Sequence, residues 1–322
     1  MYIGFIICSL LIIGAGWYLA YYGDVIAEKS GLGRSFIGLI GVAAITSLPE
    51  LITTSSAVII RDAPELAFSN VFGSNLFNIL IVAILELFII RKPFLYLVSK
   101  KNINTISFIY LSSFMVFLGL EGYSFNIKWI SFNSIMIFLI YLAAMYMGFK
   151  SSKDDEEATS LYEKEKLSKA IIIFIILGIV IIISGTYGTI FADQIAIKTG
   201  LGRTFVGGLF LAVMTSLPEL ITSISAVKLK AYNMIAGNLL GSNMFNISIL
   251  FIIDILHSDE SIYKNLKGTQ FIPVIFSLIL LSLMLIGMVK NKKSKFLSKK
   301  YHIETVLIFI SYILAIILIF FN

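Results

Sequence analysis

The chain has 322 residues, of which 58% are hydrophobic and only 14% charged, with a formal net charge of +6 and a mean hydropathy of +0.94. Ordinary soluble domains carry about 25% charged residues, so the composition excludes a soluble globular protein and makes a bilayer the solvent. The single cysteine, Cys8, excludes a disulfide framework or cysteine metal cluster, and the basic residues sit in short loops between apolar runs, which excludes a nucleic-acid face.

The chain opens on an apolar run with no basic residue before it and no small-residue cleavage site. Residues 1–23 therefore read as a retained membrane helix rather than a leader. A spanning helix needs about 20 mostly apolar residues. Ten segments qualify: 2–22, 35–60, 66–90, 102–120, 129–148, 170–191, 204–227, 232–254, 269–289 and 304–321. A charged linker, 149–169, separates the fifth from the sixth. Of the 25 Lys and Arg residues, six lie on the side that holds both termini: Arg61, Lys128, Lys198, Arg203, Lys264 and Lys267. The other nineteen lie opposite, and the positive-inside rule makes that side cytoplasmic. The expected setting is a multi-pass cell-membrane protein with both termini extracellular and the linker inside.

The two halves repeat each other. SGLGRSFIG at 30–38 returns as TGLGRTFVG at 199–207, TSLPELIT at 46–53 returns unchanged at 215–222, and GSNLFNI at 73–79 returns as GSNMFNI at 241–247. Asp24 matches Asp193, and Glu86 matches Asp254. Each copy holds five spans, an odd number, so the second copy enters the membrane from the opposite side. The predicted fold is all-α: ten transmembrane helices as two inverted five-helix repeats, 1–148 and 170–322, joined by the linker 149–169. Inverted repeats with broken helices at a midplane site are a recurring transporter architecture.

The most faithfully repeated segments are also the most polar ones in the membrane. Glu50 and its twin Glu219 lie inside apolar spans, where an ionisable group costs about 2.5 kcal/mol or more and marks function by default. Pro49 and Pro218 lack the backbone N–H, so each should break its helix and free carbonyls upstream, around 43–46 and 212–215. Ser74 and Asn78 share a helix face at i,i+4 spacing, as do Ser242 and Asn246. The pooled set is all oxygen, which suits calcium and sodium and suits zinc or copper poorly.

These paired TSLPE and GSNxFN motifs resemble the two alpha repeats of the calcium:cation antiporter superfamily, particularly its sodium/calcium exchanger branch. The resemblance covers nearly the whole chain. It implies cation binding by Glu50, Asn78, Glu219 and Asn246, assisted by Thr46, Ser47, Ser74, Thr215, Ser216, Ser242 and the backbone carbonyls of Ala43 and Ala212. It implies a non-enzymatic antiporter without a cofactor, moving Na⁺ and Ca²⁺, with small cations and lipid as its partners and the monomer as its unit. Two departures stand out. Ile45 and Met214 occupy positions where the family usually has Gly. Asn stands at both GSNxFN sites, where potassium-coupled relatives keep an acid in one copy, so no potassium coupling is expected.

Other readings of the same residues differ in what they require. A hydrolase using paired acids would need a nucleophile–histidine pair or a zinc set, and neither is present. A proton/calcium exchanger using the same two glutamates is the live alternative. Asn75, Asn243, Asn70 and Asn238 read as interhelical hydrogen bonds. Asp24, Asp193, Glu86 and Asp254 read as loop-pairing or capping groups.

Overall fold

The structure is a computed structural model that describes residues 1–90, 95, 98–152, 161–199, 214–258, 260–264, 266, 268–289 and 303–321. It is almost wholly helical. The helices are α1 (Tyr2–Ser30), α2 (Arg34–Thr46), α3 (Leu48–Arg61), α4 (Pro64–Ile84), α5 (Asn102–Leu120), α6 (Phe132–Ser152), α7 (Leu167–Thr199), α8 (Leu217–Lys228), α9 (Tyr232–Leu256), α10 (Phe271–Val289) and α11 (Ile303–Phe321). A small hairpin, β1 (Asn126–Ile127) with β2 (Ile130–Ser131), caps the α5–α6 connection.

Among the described residues, seven single helices are long and apolar enough to cross a bilayer, and α2 with α3 form an eighth span bent by 41°. Of the expected seventh span, 204–213 lies outside the described residues, with α8 forming its second half. Two expected boundaries fall short. The first helix runs to Ser30 rather than residue 22, and the sixth covers Leu167–Thr199 rather than 170–191. Hydropathy marks where lipid contact ends, whereas hydrogen bonding decides where a helix ends. Asp24 ends the apolar run, but its carboxylate is taken up by Arg34, so the helix continues.

Local sequence sets the joints. α1 stops at Gly31, whose φ of 70° is a left-handed cap that glycine adopts without strain. α3 stops at Asp62 with φ 46°, and Pro64 opens α4 within its first turn, where its missing N–H is no loss. Two stretches widen into π-helix, Ile37–Val42 just before the bend and Leu85–Ile90 at the end of α4. Neither was legible in the apolar pattern.

α4 and α9 are the central pair. The apolar windows of these two are 67% and 72% buried inside the protein, against 33% for α1 and 28% for α7, which face outward. α2 lies along α9 at backbone distance. A Cβ on Gly241 would strike the Leu39 carbonyl and approach Ala43 Cβ to 2.8 Å, and one on Gly237 would strike the Ser35 carbonyl. The long helix α7 presents Gly178 and Gly185 to the bend, where Ile45 and Pro49 fill the space a Cβ would take, at 2.9 and 2.7 Å.

Gly241→Ala is expected to lower the melting temperature, because rigid backbone on both sides cannot yield and overpacking of this kind costs about 1–3 kcal/mol. Gly14→Ala, on the exposed face of α1 with no described atom within 4 Å, should leave it unchanged or raise it. Thermal unfolding of both variants in the same detergent checks the pair.

Candidate cation site

The site begins with the two proline motifs. Pro49 cannot donate to the Ile45 carbonyl, and the chain turns at Ser47 (φ −93°, ψ 2°) before α3 restarts. Ser216 takes the same conformation (φ −92°, ψ 6°) ahead of α8. Glu50 and Glu219 thus fall in the first turn of a new helix, where the positive end of the helix dipole favours a carboxylate. The expectation that proline frees the carbonyl of Ala43 needs correction. That oxygen accepts the Ser47 N–H at 3.0 Å and the Thr46 hydroxyl at 3.3 Å. The donor lost to Pro49 is the one that would have served Ile45, four residues back. Ala212 lies outside the described residues.

Both glutamates are fully buried. Glu219 Oε1 accepts from Ser47 Oγ at 3.1 Å and from Ser242 Oγ at 3.2 Å, one donor from each half of the chain. Glu50 faces Glu219 and the hydroxyls of Thr215 and Ser74. Ser74 Oγ and Thr215 Oγ1 lie 3.4 Å apart, and Thr46 Oγ1 stands 3.4 Å from both Ser242 Oγ and Asn238 Oδ1. Ser216 is buried at the α8 joint. The structure therefore gathers Glu50, Glu219 and the hydroxyls of Thr46, Ser47, Ser74, Thr215 and Ser242 into one enclosed cluster where α2, α3 and α8 cross α4 and α9. A small surface pocket beside Ser35, Asn102 and Ser151 contains none of them.

One turn along α4 from Ser74 is Asn78, and one turn along α9 from Ser242 is Asn246. Both are fully buried. Asn78 Nδ2 donates to Asn243 Oδ1 at 3.0 Å, and Asn246 Nδ2 donates to Asn75 Oδ1 at 3.1 Å. Asn75 and Asn243 also reach the opposite backbone carbonyls, at 3.3 and 3.4 Å. Below them Asn70 donates to Thr54 and Asn238 to Thr222, at 2.8 and 3.1 Å, the interhelical ties expected of these amides.

Five acceptor oxygens in this cluster have no hydrogen-bond donor among the described residues: Glu50 Oε1 and Oε2, Glu219 Oε2, Asn78 Oδ1 and Asn246 Oδ1. Buried polar atoms are almost always satisfied, and an orphan acceptor costs about 1–3 kcal/mol. Carboxylate and amide oxygens enclosed together and short of donors are what a bare cation would complete. No three His, Cys, Asp or Glu side chains group together among the described residues, so two carboxylates and neutral oxygens are the available ligand set.

The remaining acids lie elsewhere. Asp24 binds Arg34 and accepts the Tyr162 hydroxyl at 2.7 Å, while Glu28 accepts the backbone N–H groups of Leu161 and Tyr162, each at 3.0 Å. Burial and the bond to Asp24 both hold the Tyr162 phenol well above its ordinary pKa. Leu161 and Tyr162 thus dock onto the end of α1, a contact that the linker's mixed-charge sequence does not announce. Asp254 accepts the Ser131 and Ile262 backbone N–H groups at 2.7 and 2.9 Å, and Glu86 accepts the Thr305 hydroxyl at 2.8 Å, as loop-pairing and tying groups. Ile45 and Met214 leave the site clear. Their side chains lie against Gly178 and Gly188 of α7, so glycines on the neighbouring helix make the room that glycine would have left at the break itself.

A model of the sodium/calcium exchanger protein family matches residues 1–150 and 169–321. Among curated proteins, an uncharacterized membrane protein of Methanocaldococcus jannaschii is 27% identical over 254 residues, 74% of this chain and 80% of its own length. The inner membrane protein YrbG of Escherichia coli is 28% identical over 257 residues, 76% of each chain. The sodium/calcium exchanger MaX1 of Methanosarcina acetivorans is 26% identical over 305 residues, covering 82% of this chain and 85% of its own. A solved structure of the sodium-calcium exchanger NCX_Mj shares the fold, with a TM-score of 0.70 over 98% of this chain and 97% of that one at 22% identity.

The orphan oxygens generate a direct expectation. Ca²⁺ should raise the melting temperature of the purified protein, since a ligand at 100 times its Kd stabilises by about 2.7 kcal/mol. The same titration on Glu50→Gln or Glu219→Gln should show no rise.

Proposed function

The chain belongs to the sodium/calcium exchanger family, and from that premise we propose that it is a secondary antiporter exchanging Na⁺ for Ca²⁺ by alternating access, with Ca²⁺ leaving the cytoplasm. The observation that carries the reading is the enclosed set of five donorless oxygens on Glu50, Glu219, Asn78 and Asn246. Two carboxylates give the empty site a formal charge of about −2, which one Ca²⁺ neutralises in a medium where an unbalanced charge is severely penalised. Ca²⁺ takes about 6–8 oxygens in flexible geometry. The five orphans with one to three of the hydroxyls of Thr46, Ser47, Ser74, Thr215, Ser216 and Ser242 would supply that number. Na⁺ is also a hard cation and would use the same oxygens, so the two occupancies exclude each other and exchange becomes obligatory. The relative named as a sodium/calcium exchanger in Methanosarcina supports the choice of ions.

The architecture we propose is ten helices in two inverted halves, 1–148 and 170–322. It is supported by the twin joints at Ser47 and Ser216 and by the reciprocal Asn75–Asn246 and Asn243–Asn78 contacts. The linker 149–169 is assigned to the cytoplasm, and both termini to the outside, from the distribution of Lys and Arg. No potassium coupling is proposed, because Asn78 and Asn246 add no third charge for K⁺ to balance.

A second reading, proton/calcium exchange, has one observation in its favour. Glu50 has no donor on either oxygen among the described residues, and a proton is the smallest cation that would satisfy it. In reconstituted vesicles, an outward Na⁺ gradient should drive Ca²⁺ uptake while a proton gradient alone should not. Uptake with protons and no sodium would transfer the assignment to the second reading. Glu50→Gln or Glu219→Gln should reduce Na⁺-driven uptake by at least about 100-fold, since the amide keeps the shape and removes the balancing charge. In a Cys8→Ala background, Ser160→Cys should react with an impermeant thiol reagent only after cells are opened, and Asn322→Cys should react in intact cells. The reverse pattern would overturn the orientation.

A further inference from the structure

We propose that Asn75 and Asn243 are positioning residues that decide which atom of Asn246 and Asn78 faces the transported cation. This rests on the exchange reading above and deepens it. The amide of asparagine ends in an oxygen and a nitrogen of nearly equal size, and its hydrogen-bond network determines which lies where. In this site the network has two fixed ends. Asn243 meets the backbone carbonyl of Asn75 at 3.4 Å, and Asn75 meets the backbone carbonyl of Asn243 at 3.3 Å. A carbonyl only accepts, so the atom touching it must be Nδ2 in both cases. Each Oδ1 then points the other way and can only accept.

The consequence passes one residue further. The atom of Asn78 that lies 3.0 Å from Asn243 Oδ1 must be a donor, and so must the atom of Asn246 that lies 3.1 Å from Asn75 Oδ1. Both amide nitrogens are thereby committed away from the site, and both Oδ1 atoms are left with no donor among the described residues. Reversing either amide would put N–H hydrogens against a cation and oppose two acceptors at its back. The polarity of each candidate ligand is set by the other helix: Asn75 on α4 orients Asn246 on α9, and Asn243 on α9 orients Asn78 on α4. Partners of this kind, which touch a ligand and not the ion, typically change metal affinity by about 10–100-fold when removed.

The rival role is plain tying of α4 to α9 by hydrogen bonds. A double-mutant cycle separates the two. Asn75→Leu is made in the natural sequence and in an Asn246→Asp background, and Ca²⁺ affinity is read from titration of the purified protein and from the half-saturating Ca²⁺ for Na⁺-driven uptake. A carboxylate offers oxygen whichever way it lies, so Asp at 246 needs no orienting partner. The expected result is a loss of about tenfold or more for Asn75→Leu in the natural sequence and less than about twofold in the Asn246→Asp background. The melting temperature without Ca²⁺ should fall in the natural sequence and fall less in the Asn246→Asp background, where Asn75 Oδ1 opposes a carboxylate oxygen rather than an N–H. Equal loss of affinity in both would assign Asn75 to helix tying and overturn the proposal. The mirror cycle, Asn243→Leu with and without Asn78→Asp, carries the same two outcomes should the first variant fold poorly. Failure of the unmodified protein to bind Ca²⁺ in the same titration would overturn the exchange reading itself, which is a different result from equal losses.

Discussion

Two carboxylates buried in a protein whose solvent is hydrocarbon impose a constraint from which most of this structure follows. An ionised group at that depth needs opposite charge or dense polar contact. Glu219 receives hydroxyls from both halves of the chain, and Glu50 sits opposite it with none of its oxygens capped among the described residues. Supplying such contacts inside a bilayer requires backbone to depart from regular helix where it is surrounded by protein. The joints at Ser47 and Ser216 are that departure, and each places its glutamate at the start of a fresh helix.

The same demand explains the tight centre. Polar oxygens on α4 and α9 reach those on α2, α3 and α8 only if the helices approach closely, and Gly237 and Gly241 let α2 lie against α9 with no side chain between. Small residues at membrane helix contacts allow this approach generally. Here the approach brings Thr46 into range of Ser242 and Ser47 into range of Glu219. The outer helices show a different economy. α1 and α7 pack on each other, keep most of their apolar windows exposed to lipid, and meet the breaks through glycine notches. The end of α1 is held by Arg34 through Asp24 and by Leu161 and Tyr162 through Glu28 and Asp24.

Much of this was legible from residues alone because membrane burial makes polar residues conspicuous. A Glu flanked by Pro inside an apolar span, occurring twice, has few explanations, and i,i+4 spacing places Ser and Asn on one face without any coordinates. Ile45 and Met214 were harder. They stand where the resemblance implies Gly, yet their side chains lie against α7, because the space for a side chain belongs to the neighbouring helix and sequence periodicity says nothing of which helix that is. The Ala43 carbonyl follows a related rule: proline removes the donor that would serve Ile45, while the Ser47 N–H still serves Ala43.

By itself, the sequence determined the solvent, the number of apolar segments, the repeat, and the identity of the oxygen-bearing residues, since each is a property of composition or of spacing along one helix. Only the tertiary structure decided which oxygens are left bare. Whether Asn78 presents oxygen or nitrogen depends on Asn243, 165 residues away, and the direction of Asn243 depends in turn on the backbone of Asn75. Hydrogen-bond polarity propagates between helices brought together by packing, and no local pattern in either helix contains it.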